Sequence, residues 1–176
     1  MAQRAHASAS RRSKQPTPDE YAEFVEQIEL LDIWLVETRA VNHHGPRPPR
    51  QAAVSIATPE ASWTNVDDGF EIGFPYQVRF ADHDTVHAEV AVTFGLRFSS
   101  GRPMDEPTFR VFKDVNLPVN TWPFLREIVS TTVGRMGWPS FTLPALKQGS
   151  SAPDEDQEAA PKPRRRTSRR SGAANA

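Results

Sequence analysis

No cysteine occurs among the 176 residues. That excludes a disulfide framework and any thiolate metal site, and it fits a chain working in a reducing cytoplasm. No apolar run approaches the roughly 20 residues that a membrane-spanning helix needs. The first residues lack the apolar stretch of a secretory signal. Glycine is sparse, at nine residues, and forms no phosphate-cradling loop. No G-x-S-x-G turn presents a nucleophilic serine. No two carboxylates stand on facing apolar positions, as paired acid–base work requires. Neither an enzymatic activity nor a cofactor is expected.

What is present is unevenly placed. The first 18 residues carry four basic side chains (Arg4, Arg11, Arg12, Lys14) and no acid. Residues 148–176 carry six basic and four acidic side chains and end in "PKPRRRTSRR" before a short polar tip. Of the chain's 21 basic and 22 acidic residues, 11 and 18 remain for residues 19–147, a net charge of about −7. An acidic middle thus stands between basic ends. Residues 1–17 and 148–176 read as disordered tails by composition, leaving one domain over 18–147. The acid-free N-terminus also has the composition of an organelle transit peptide.

Within the domain, "TPDE" at 17–20 is a helix start. Thr17 can cap, Pro18 suits the first helical position, and Asp19 and Glu20 favour the positive end of the dipole. "IELLDIWLVETRAV" (28–41) reads as a strand, with a helix continuing from 18 as the alternative. "NHHGPRPPR" (42–50) is a loop, 51–58 a short weak strand, and 59–69 a loop. Residues 70–80 and 86–98 alternate strictly between apolar and polar and are joined by "ADHD", which predicts an antiparallel hairpin. Pro75 has no N–H and is expected at a bulge or an unpaired edge. Residues 108–119 read as a short helix or irregular chain. A helix then starts at Asn120 or Thr121, runs on a stripe of Trp122, Leu125, Ile128, Val129, Val133 and Met136, and stops at Gly137. Prolines 139 and 144 hold the remainder extended. The expected fold is α+β: a four-stranded antiparallel sheet with a long C-terminal helix packed alongside.

Candidate chemistry is thin. "HDTVH" places His83 and His87 near Asp82 and Asp84, a set that could bind zinc, but no third ligand has a fixed spacing. A solvated hairpin is the plainer expectation, and no metal is assigned there or at His43 and His44. The arginine-rich tail could contact phosphates as a nucleic-acid adaptor, yet it has no interleaved aromatic to stack on bases, and the acidic domain opposes nucleic acid. More informative is the apolar excess of 28–41, where Ile28, Leu30, Trp34 and Val36 alternate with Leu31, Ile33 and Leu35. Either both faces are buried within one domain, or the second face meets another subunit or a client chain. Phe109, Val111 and Phe112 pose the same choice.

The segment "WPFLREIVSTTVGRMGWPSFTLPAL" (122–146) resembles the C-terminal signature of SecB-type export chaperones. The matching positions are Trp122, Pro123, Phe124, Arg126, Glu127, Arg135, Gly137, Pro139, Leu143 and Pro144. With the four strands in order, the resemblance extends over about residues 20–146. The helix running into "LLDIWLVETRAV" is similar to actinobacterial SecB-like members, some of which guard the antitoxin of a toxin–antitoxin pair. The resemblance implies an ATP-independent holdase that assembles as a dimer of dimers, a homotetramer, and binds unfolded apolar segments. Its expected partners are such clients, with SecA or an antitoxin among the candidates. Client contact is expected from Leu31, Ile33, Leu35, Phe109, Phe112, Trp122 and Trp138. The basic C-terminal tail departs from the family's short polar end. SecA-contacting carboxylates have no assigned position, although Glu71 and Glu89 stand on the polar sheet face. A non-chaperone protein-binding or assembly module on the same fold is the competing reading.

Overall fold

A computed structural model describes residues 15–146. The basic tails expected at 1–17 and 148–176 lie outside the described residues, apart from Gln15, Pro16 and Thr17. Helix α1 spans Pro18–Glu26 and begins with a capping box, in which Thr17 and Glu20 satisfy each other's backbone N–H groups. It buries Phe24 and lets the Tyr21 hydroxyl donate to Asn116 Oδ1. The chain then enters strand β1, Ile28–Asn42.

Four further strands follow: β2 (Ala53–Ala57), β3 (Ser62–Val66), β4 (Gly69–Asp82) and β5 (Thr85–Ser100). All pairings are antiparallel, in the order β1-β5-β4-β2, with β3 also paired to β4. The sheet therefore has five strands rather than the four expected. The addition is β3, whose polar sequence Ser-Trp-Thr-Asn-Val carries a weak strand signal. It forms because β4 is long enough to pair two short strands on one side. β3 covers Gly69–Gly73, β2 covers Gln77–Ala81, and Pro75 falls in the gap between them, where its missing N–H forfeits no ladder bond.

Helix α2, Glu106–Arg135, is one element of 30 residues. Its cap is Asp105, 15 residues before the first predicted cap position, and the Asp105 side chain accepts from Thr108 N at 2.9 Å. Pro118 and Pro123 lie inside it. In an α-helix those prolines cannot donate to the carbonyls of Asp114 and Val119. Both of those residues are exposed, so water can take the donor's place. Asn120 and Thr121 are not caps. They bond back into the helix, to the carbonyls of Asn116 (2.9 Å) and Leu117 (2.7 Å). Just past the Met136 C-cap stands Gly137 with φ 82°, the left-handed stop expected.

The core lies between one face of the sheet and α2. Strands β4 and β5 supply Phe70, Ile72, Phe74, Tyr76, Val78, Val90, Val92, Phe94, Leu96 and Phe98, and α2 supplies Phe112, Leu117, Leu125, Val129 and Val133. At that burial each large apolar side chain contributes about 1.5–3 kcal/mol. After Gly137 the chain runs back along α2. Arg126 Nε donates to the Leu143 carbonyl, Trp122 Nε1 donates to the Pro144 carbonyl (both 2.9 Å), and Leu143 is fully buried.

Candidate functional site

β1 is an edge strand whose outer side has no strand partner among the described residues. Its pairing with β5 slips twice. Leu30 opposes Phe98 and Asp32 opposes Arg97, which leaves Leu31 as an extra residue. Leu35 opposes Phe94 and Glu37 opposes Thr93, which leaves Val36 as a second. Each bulge resets the alternation, and this is why apolar residues fall on both faces of a strand read as regular. The bulge residues are themselves exposed, Leu31 at 49% and Val36 at 57%. Leu35 is 47% exposed although it faces the helix side, because it lies at the sheet margin. Trp34 is 39% exposed on the opposite face, laid over Gly95.

α2 exposes Val115, Val119 and Phe124, and the last of these lies next to this margin. The Phe124 ring lies 6.4 Å from that of Phe94, the strand partner of Leu35. Leu35 and Phe124 thus flank one core ring from two elements. Exposed apolar side chains on an unpaired edge are the kind of surface that proteins normally blunt with charge or cover.

The seven expected contact residues are not brought together. Leu31 and Leu35 are exposed, and Ile33 is half-buried against the core. Phe112 is fully buried, with the rings of Phe24, Phe70 and Phe98 at 6.1, 5.9 and 5.2 Å. Phe109 is buried yet borders an open pocket of about 730 Å³ between β3 and α2, beside Trp63 at 5.7 Å. Trp122 is half-buried on Tyr76 at 6.4 Å. Trp138 is buried, edge-on to Phe80 at 5.8 Å, and its Nε1 donates to the Gly45 carbonyl at 2.9 Å. Sequence reasoning left out Trp34, Val36 and Phe124. The two-faced apolar pattern of 28–41 was the signal for the first two. Phe124 carried a signal only as the second aromatic of the signature Trp122-Pro123-Phe124.

Two arginines on the open face are paired with carboxylates. Arg97 meets Asp68 at 3.0 Å and Glu71 at 3.8 Å, and the Asp68 hydrogen bond is the main cause holding its guanidinium pKa above the ordinary value. Arg79 Nε donates to Glu89 at 2.7 Å. Glu71 and Glu89, the two carboxylates singled out in the sequence, are therefore both engaged. His83 is an exposed turn residue with φ 48°, 3.7 Å from Asp82. His87, expected on a solvated face, is buried. Among the described residues no three His, Cys, Asp or Glu side chains group so as to hold a metal ion, and no helix is long and apolar enough to cross a membrane.

The architecture is similar to that of the Mycobacterium tuberculosis Rv1957 SecB-like chaperone, solved in complex with a ChAD peptide from the Rv1956 HigA1 antitoxin. The TM-score is 0.62 and the identity 20%, over 74% of this chain and 98% of that one. The fold is thus SecB-like: an antiparallel sheet with a long C-terminal helix. No protein-family model matches the sequence, and no curated protein matches it.

Proposed function

We propose that this protein is an ATP-independent holdase that keeps unfolded, apolar segments of other chains from aggregating. The observation that carries the reading is the unpaired edge of β1, where Leu31, Trp34, Leu35 and Val36 are exposed, and where Leu35 pairs with Phe94, the ring that exposed Phe124 of α2 approaches. An extended client can add to such an edge through its backbone while its side chains use the apolar surface. Leu31, Ile33, Leu35, Phe109 and Trp122 are the expected residues with access to solvent or to a pocket. Phe112 and Trp138 are buried in the core and not available to a client.

The acidic domain keeps exposed apolar surface soluble and suits basic, unfolded clients. A chaperone of this fold that holds a peptide from an antitoxin supports a dedicated client of that kind. A free apolar edge also suits pairing between copies, and a homotetramer built as a dimer of dimers is part of the proposal.

The test is aggregation of a chemically denatured reporter diluted into buffer without ATP. Suppression at stoichiometric tetramer is expected, and its absence overturns the reading. Tight binding to one folded partner with indifference to unfolded chains would instead identify an assembly module.

A further inference from the structure

The loop between β1 and β2 builds a second place of different chemistry. Its anchor is Asn42, whose side-chain oxygen accepts from the N–H groups of His44 and Gly45, both at 3.0 Å. Asn42 Nδ2 donates to the Gly45 carbonyl at 2.8 Å, and Trp138 Nε1 donates to that same carbonyl. The loop is therefore tied both to its own strand and to the segment after α2.

His87 lies beside it. β4 and β5 pair Phe80 with Ala88 and Ala81 with Val86, so His87 is the extra residue of a bulge, a feature that re-aims side chains. His87 is only 8% exposed, and its buried Nε2 has no hydrogen-bond partner among the described residues. The ring of His44 meets it edge-on at 4.7 Å. An open pocket of about 620 Å³ occupies this corner, lined by His44, Arg47, Arg50, Gln51, Asp82 and His87.

We propose that this pocket binds a phosphate monoester. Two guanidinium groups match the geometry of a phosphate oxyanion. Two imidazoles, those of His44 and His87, also line it and can add N–H donors. Asp82 is the one carboxylate in the lining, and it already faces His83 at 3.7 Å. Glu89 is held by Arg79 and lies outside the lining. The balance of charge repels a metal cation. The volume exceeds what inorganic phosphate fills, and the prolines at 48 and 49 line the space left for an organic body.

The experiment is an NMR titration of the full chain with phenyl phosphate, inorganic phosphate and, as the uncharged control, benzyl alcohol. Phenyl phosphate is expected to saturate with a Kd of about 1 mM or tighter. The ring signals of His44 and His87 should move while that of His83, outside the pocket, stays in place. The Arg47→Ala/Arg50→Ala double variant, on an exposed loop, should fold normally and bind roughly tenfold or more weakly. Saturation indifferent to that variant, no saturation at all, or an equal response to benzyl alcohol overturns the proposal. Equal affinity for inorganic and phenyl phosphate overturns the assignment to a monoester.

Discussion

The indole of Trp34 lies across Gly95, its strand partner on the open face of the sheet. A β-carbon at position 95 would stand 2.2 Å from Trp34 Cε2. Gly95 pairs in turn with Gly73, so the ring rests on backbone rather than on side chains. Gly95→Ala is acceptable to an extended strand but incompatible with the indole where it lies. The variant is expected to displace Trp34 and to cost about 1–3 kcal/mol, as overpacking does. Fluorine NMR of fluorotryptophan-labelled protein, with Trp34→Phe to assign the signal, reads the displacement, and denaturant midpoints read the cost. An unmoved Trp34 signal shows that the glycine does not seat the ring.

Substitutions at the apolar margin test the proposed client binding apart from stability. Leu35 and Phe124 are exposed, whereas Phe112 is sealed between three phenylalanine rings. Leu35→Ser with Phe124→Ser should leave chain stability within about 0.5 kcal/mol per substitution while aggregation suppression falls severalfold. Phe112→Ala should do the reverse, costing about 3–5 kcal/mol through the cavity it leaves. Light scattering on the double variant shows whether the assembly state changes as well. Full suppression by the double variant would mean that clients bind elsewhere.

How much of this was legible in the sequence depended on whether local pattern or tertiary pairing decided the outcome. The alternation over 70–80 and 86–98 showed β4 and β5 directly, because each strand buries one face. The stripe of Leu125, Val129 and Val133 and the stop at Gly137 showed the second half of α2. Its first half was hidden by Pro118 and Pro123, which break helices when their lost bonds point inward; here the freed carbonyls belong to exposed residues. β3 was missed because its strand character comes from its partner, not from its side chains. The two bulges of β1 had no local signature. They are set by the match of Leu30, Ile33 and Leu35 to Phe98, Leu96 and Phe94 across the ladder. The candidate site was legible as an apolar surplus but not as a place, since the bulges decide which of those residues reach solvent. His87 went the same way: alternation put it on the polar face, and a bulge beneath a tied loop buried it.

Tyr76 gives the fold an alkaline limit. Thr121 donates its single hydroxyl proton to the Leu117 carbonyl, so the 2.7 Å contact between Tyr76 and Thr121 has the phenol as donor. Burial pushes the Tyr76 pKa up to about 12, and burial pushes half-buried Tyr21 up to about 12 as well. Both folded values lie above the unfolded value near 10. Their stabilisation is therefore complete below about pH 10 and is lost as pH rises from there toward about 12. Denaturant midpoints should hold steady between about pH 8 and about pH 10 and then fall. The chain has only two tyrosines, so phenolate absorbance reports these two groups, and it should appear no earlier than unfolding. Thr121→Val leaves the buried phenol without its acceptor and should cost about 1–3 kcal/mol. Thr121→Ser keeps the acceptor and should recover most of that loss. A valine variant as stable as the parent, or phenolate absorbance rising near pH 10 in the folded chain, would show that Tyr76 is not held in this bond.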